Sequence, residues 1–135
     1  SDIILDKKFL KNIVILKKKN IIGIKSKSKH KFKPESLVVK AKGNVVEKIN
    51  FKKKIKSPEG EIIGVNKFSS KTMQNIFNYM EKYFNEKNSG ISWELFLNGY
   101  IKEKKDKFYI IKNQNFNWIN INKLKDFNIA KKIGL

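Results

Sequence analysis

Apolar and polar residues follow distinct rhythms along this chain, and each rhythm predicts an element. Residues 1–5 (SDIIL) read as the tail of a strand. Asp6 is placed to cap a helix over residues 7–18, where Phe9, Leu10, Ile13, Val14 and Leu16 fall mostly on one face. Residues 20–24 (NIIGI) are a short apolar run and predict a buried strand. Residues 25–34 (KSKSKHKFKP) have no such period and read as a basic loop.

Residues 36–41 (SLVVKA) and 45–51 (VVEKINF) flank Lys42-Gly43-Asn44, which predicts a hairpin with Gly-Asn in its turn. A second basic stretch, residues 52–56, ends at the turn signal Ser57-Pro58-Glu59-Gly60. Residues 61–68 (EIIGVNKF) then predict a central strand, with Gly64 marking a close backbone approach. Ser69 or Ser70 caps a helix running to about residue 87, with Met73, Ile76, Phe77, Met80 and Phe84 on its apolar face. Ser92 caps another over residues 93–103, with Leu95, Phe96 and Tyr100 inward. Residues 107–111 (KFYII) and 116–121 (FNWINI) predict strands, and Asn122 caps a last helix carrying Leu124, Phe127, Ile129 and Ile133. Without an internal repeat or linker, residues 1–135 form a single mixed α/β unit.

Composition narrows the function classes. At 135 residues and 40% hydrophobic the chain supports one core and is too apolar for a disordered tail. The longest apolar runs, such as Ile13-Val14-Ile15-Leu16, are too short to span a bilayer, and no signal peptide is visible, so a cytoplasmic protein is expected. The absence of Cys removes disulfides, thiolate metal sites and cysteine nucleophiles, and the single His30 excludes any site built on two imidazoles.

The formal charge of +19 invites a polyanion-binding reading. All 31 basic residues, however, are Lys, beside 20 Ile and 16 Asn. These three amino acids share A/T-rich codons, and Arg, the usual bidentate reader of phosphates and bases, is missing. Coding bias is therefore the stronger explanation, and a nucleic-acid partner is not expected. The alternative, a lysine-rich nucleic-acid or polyanion-binding α/β module, predicts lysines segregated onto one face.

Carboxylates remain as candidate chemistry. Glu81, Glu86, Glu103 and Asp106 lie among lysines and read as solvated surface or capping charges. Asp2 at a strand end, Glu61 opening a strand, Glu94 in a helix first turn and Asn122 at a strand-to-helix junction stand apart. Each also has a plain structural reading: a terminal residue, a turn residue, a favourable charge at a helix N-terminus, and an N-cap.

Three segments in order resemble the C-terminal half of the nucleotidyltransferase superfamily that activates phosphorylated small molecules. The branch includes phosphocholine and aminoethylphosphonate cytidylyltransferases and sugar-phosphate nucleotidyltransferases. Ser1-Asp2-Ile3-Ile4 followed by Asp6-Lys7-Lys8-Phe9-Leu10 is similar to the family's Gly/Ser-Asp-Ile strand end and following helix. Residues 60–69 (GEIIGVNKFS) are similar to its G-E-φ-φ-G-φ-x-K-φ-S strand, φ being apolar. Trp118-Ile119-Asn120-Ile121-Asn122 with Asp126-Phe127 is similar to its W-x-E-I-D-T-x-x-D-L ending.

The resemblance spans essentially the whole chain and implies an α/β fold: a partial Rossmann-like nucleotidyltransferase domain, a mixed sheet with flanking helices. The Gly-rich loop and Pro-Lys motif with which members begin are not in the sequence, so the N-terminal nucleotide-binding part is expected to be absent and the chain alone inactive. By residue-wise match, Asp2 and Asn122 are the implied Mg²⁺ positions. Glu61, Glu94 and Trp118 are the implied acceptor-binding residues, and Lys53 or Lys54 an implied catalytic lysine. The implied partners are a nucleoside triphosphate and a small phosphorylated or phosphonate substrate. The implied reaction transfers a nucleotidyl group, CMP from CTP, with release of pyrophosphate.

Overall fold

Asp6 sets the first boundary of the fold. Its side chain accepts the Lys8 N–H at 2.8 Å, separating strand β1 (Asp2–Leu5) from helix α1 (Lys7–Ile15). A computed structural model describes residues 2–26, 32–85, 90–103, 106–113, 118–121 and 123–132. Helix α1 stops short of its predicted end because Leu16 is extended and the Lys67 ammonium takes the Val14 and Leu16 carbonyls, each at 2.8 Å. A cation on the last orphan carbonyls is a favourable helix ending.

The apolar run at residues 20–24 becomes β2 (Ile21–Ser26), whose first four residues are buried. The predicted hairpin forms from β3 (Leu37–Lys42) and β4 (Val45–Phe51), with Gly43 at φ +59° in the turn. Lys52–Lys54 add one 3₁₀ turn before β5 (Gly60–Lys67). Strand β2 runs antiparallel to β5 and parallel to β6 (Tyr109–Asn113), while β5 meets β3 and β4 reaches β6 at Val45–Tyr109. The five strands thus close in the order β2-β5-β3-β4-β6. The expected α/β class, a mixed sheet with flanking helices, is the architecture that forms.

Closure between β4 and β6 is a single residue pair, and helix α3 (Trp93–Lys102) fills the remaining gap. Its Leu97, Tyr100 and Ile101 join Ile22, Ile24, Val39, Ile49, Phe108 and Ile110 of the ring in the main core, along with Ile76 of helix α2 (Ser70–Tyr83). Ser69 caps α2 by accepting the Thr72 N–H at 3.2 Å. The helix ends at Tyr83 rather than near residue 87, so Phe84 leaves the helical face and is 56% exposed.

Outside the ring, β1 pairs antiparallel with β7 (Trp118–Ile121), aligning Asp2 with Ile121 and Leu5 with Trp118. Leu5 and Trp118 pack with Phe9, Ile13 and Ile63 in a second, smaller core that holds this ribbon and α1 against β5. Helix α4 (Leu124–Lys132) buries Ala130 and leaves Leu124, Phe127 and Ile129 exposed, the reverse of its predicted inward stripe. A small residue lets the helix lie close to its support, and the large ones are turned out. Among the described residues, no helix is long and apolar enough to cross a membrane.

Candidate functional site

Glycine at position 64 decides where the β1–β7 ribbon meets the ring. Gly64 has φ +77°, a conformation that L side chains rarely adopt, and the Ile3 side chain occupies the space a Cβ would need. Opposite this bulge the β2–β5 register shifts between Ile22 and Ile24. The close approach at Gly64 is made by the Ile3 side chain of β1, one residue from Asp2, rather than by a neighbouring backbone.

On its other side Gly64 forms part of an apolar cleft of about 440 Å³. Asn66 and Phe68 of β5, Met73, Ile76, Phe77 and Met80 of α2, and Trp93 at the start of α3 complete it. Phe68 meets the Trp93 ring edge to face with centroids 6.2 Å apart, fixing one wall. A mostly apolar concavity with one carboxamide is of a size that takes a small organic ligand.

The sequence-derived candidates divide between two ends of the ribbon. At one end, Asp2 aligns with Ile121, the residue before Asn122. Asn122 itself lies outside the described residues. Glu94 follows Trp93 in the first turn of α3 and is half-buried, but the residues that line the apolar cleft include Trp93 and not Glu94.

At the other end, Trp118 is three strand residues from Ile121, about 10 Å at the usual rise per residue. Lys25 holds its ammonium 5.7 Å from the Trp118 ring and is the cross-strand partner of Glu61. Directly opposed residues share a face of the sheet, so Glu61, Lys25 and Trp118 form one corner. The row continues from Glu61 to Val38 and Asn50 on the neighbouring strands. Lys53 and Lys54 sit beyond the same edge on the exposed 3₁₀ turn, Lys53 above the Phe51 ring at 6.0 Å.

The structure therefore brings Glu61 near Trp118 and sets Ile3 of β1, next to Asp2, against Gly64 of the cleft. Glu94 reaches that cleft only through its neighbour Trp93, and the candidates do not share one pocket. Sequence reasoning missed Trp93, Asn66 and Phe68 as cleft walls. From sequence alone, Met73 and Met80 belong simply to the apolar stripe of a helix. The available signal was the apolar residue content on both sides of Gly64, which periodicity alone assigns to a core.

Among the described residues, no group of three His, Cys, Asp or Glu side chains is gathered to hold a metal. The donor pair implied by resemblance, one carboxylate and one carboxamide oxygen, is hard-oxygen chemistry of the kind Mg²⁺ accepts. Exposed lysines occur on α1, the β3–β4 hairpin, the 3₁₀ turn, α2 and α4, so they are spread around the molecule.

No protein-family model matches the sequence, and no curated protein sequence does either. The fold is similar to that of a Bacillus anthracis protein assigned as a glucose-1-phosphate thymidylyltransferase and solved in complex with sucrose. The match has a TM-score of 0.64 at 14% identity and covers 98% of this chain and 51% of that one. This chain therefore spans about half the length of the solved protein, and the likeness is one of fold.

Proposed function

We propose that the chain is the acceptor-binding half of a nucleotidyltransferase. On this reading it positions a small phosphorylated or phosphonate acceptor for nucleotidyl transfer, with CMP from CTP as the transferred group. The observation that carries the proposal is the arrangement at Gly64, where the strand bearing Asp2 lies against the wall of a small-molecule-sized cleft. The fold likeness to an assigned thymidylyltransferase supports the general chemistry, and the three sequence segments support the cytidylyltransferase branch.

In the proposed reaction an acceptor phosphate or phosphonate oxygen attacks the nucleotide α-phosphorus. The bond to the β-phosphate oxygen breaks, and pyrophosphate leaves with the electron pair. Asp2 and Asn122 would hold Mg²⁺, which supplies neutralisation of phosphate charge when bound. The acceptor head would enter the cleft against Trp93 and Phe68, whose faces attract an ammonium, with Glu94, the residue after Trp93, adding charge. Glu61, Lys25 and Trp118, at the other end of the ribbon, would be the alternative seat for the acceptor, with Lys53 or Lys54 available to the phosphates. The occurrence of exposed lysines on several separate elements among the described residues favours this local role over a polyanion-binding module, which needs them on one face.

The test is pyrophosphate release from CTP and Mg²⁺ with phosphocholine, 2-aminoethylphosphonate or glucose-1-phosphate, using the 135-residue chain alone and the chain supplied with a nucleotide-binding half. Release that depends on acceptor and is lost in Asp2→Ala supports the proposal. No release in either format, together with no acceptor binding, removes it.

A further inference from the structure

Helix α2 carries a second cleft on its opposite face. Lys71, Asn75, Asn78, Tyr79 and Lys82 recur along one side of the helix and, with Asp106, line a concavity of about 520 Å³. The α2 residues of the apolar cleft, Met73, Ile76, Phe77 and Met80, lie on the other side.

More than helical spacing shapes this second cleft. A Cβ at Gly99 of α3 would overlap the Tyr79 hydroxyl, so the glycine admits the tyrosine into the crease between the two helices. The Tyr79 ring is braced by Tyr83 at 4.5 Å and by Tyr100 at 5.8 Å between centroids. The fully buried Tyr100 donates its hydroxyl proton to Asp106 and is also hydrogen-bonded to Asn75. This chain of contacts ties the acidic side of the cleft to its amide side through a buried phenol.

We propose that this cleft binds a neutral polyhydroxylated ligand, a mono- or disaccharide. Sugar hydroxyls both donate and accept, and the lining offers both functions at close quarters. Lys71, Lys82 and the two carboxamides can donate, while the Asp106 carboxylate beyond its bond from Tyr100 and the Asn78 oxygen beyond its bond from Gln74 keep lone pairs that can accept. The Tyr79 ring adds apolar surface for the C–H face of a sugar ring. A phosphate would have to settle beside the Asp106 carboxylate, and a hydrocarbon would strip water from five polar side chains without replacing it. The site is independent of the acceptor cleft and of the transferase reading.

An NMR titration of the intact chain with methyl α-glucopyranoside and with maltose tests the proposal, with inorganic phosphate as competitor. Sugar-dependent shifts confined to α2 and to Asp106 are expected. Asn78 is exposed, so Asn78→Leu should fold and weaken binding by about tenfold or more. Lys82→Met should also weaken it, and Lys40→Ala, at an exposed position of β3 away from the cleft, should not. Absence of shifts at millimolar sugar, shifts unchanged in both cleft variants, or displacement by phosphate would each overturn the proposal.

Discussion

The Asn98 side-chain oxygen accepts the backbone N–H of Ile49 at 2.8 Å, so a helix completes a hydrogen-bond ladder that a strand leaves open. Strand β4 touches β6 only at Val45–Tyr109, and beyond that pair its edge would face the core unpaired. Asn98 is 6% exposed, in the middle of the apolar face of α3. A buried backbone N–H without a partner is costly, which accounts for a carboxamide among Leu97, Tyr100 and Ile101. Asn98→Leu should destabilise the fold by about 1–3 kcal/mol, the range for stranding a buried donor. Urea unfolding measures this, and an unchanged midpoint would mean that the β4 edge finds another acceptor.

Gly64 and Gly43 make a matched pair for a second prediction. Both have positive φ, +77° and +59°, so Ala carries backbone strain at either position. A Cβ at Gly43 meets open space, whereas one at Gly64 meets the Ile3 side chain. Gly43→Ala should cost about 1 kcal/mol from strain alone. Gly64→Ala should cost more and should displace β1, and Ile3→Ala in the same chain should recover part of the difference. A double-mutant cycle that is additive would show that the ribbon does not lean on this glycine.

Tyr100 gives the stability a readable pH dependence. Burial first, and then its hydrogen bond to Asp106, push its hydroxyl from the ordinary 10.0 up to about 12. Above pH 10 the unfolded chain releases this proton while the folded chain keeps it, so the unfolded state binds fewer protons and stability falls as pH rises. The contribution is fully present below pH 10 and is lost by about pH 12. The difference between wild type and Tyr100→Phe is the quantity to follow. The variant should be less stable at neutral pH and should lose less between pH 10 and 12. Parallel curves would assign the alkaline slope to other groups.

Element boundaries were legible where short-range chemistry sets them. Asp6 and Ser69 are capping residues by type and cap in fact, and the Gly43-Asn44 turn joins the strands it separates in sequence. What periodicity could not supply was the partner of each apolar face. Phe77 continues the stripe of Ile76 and Met80, yet it is 54% exposed because a cleft rather than the core lies beside it. In α4 the large apolar residues point outward and Ala130 inward, a choice made by the approach distance of the helix and not by its pattern. Lys67 is one lysine among 31 in the sequence, and only the fold shows its ammonium closing α1. For the candidate site, sequence alignment to a family motif selects Trp118, while the strand register sets it at the far end of the ribbon from Asp2. That displacement follows from the antiparallel β1–β7 pairing, which no local spacing encodes.

The two tryptophans therefore make different predictions for acceptor binding. Trp93 walls the apolar cleft, with its neighbour Glu94 half-buried, and its ring is held by Phe68. Trp118 is packed into the smaller core with Phe9, Ile13 and Ile63, and Lys25 already stands over its face. An ammonium-bearing acceptor would compete there with an existing cation, whereas among the described residues the cleft lining contains no Lys. Trp93→Ala should weaken binding of 2-aminoethylphosphonate or phosphocholine by about tenfold, the scale of a desolvated cation–π contact. Trp118→Phe, which keeps an apolar ring in the smaller core, should change binding by less than about threefold. Titration calorimetry on both variants separates the sites. If Trp118→Phe proves the more damaging, the acceptor occupies the Glu61–Lys25 corner and the cleft beside α2 serves another ligand.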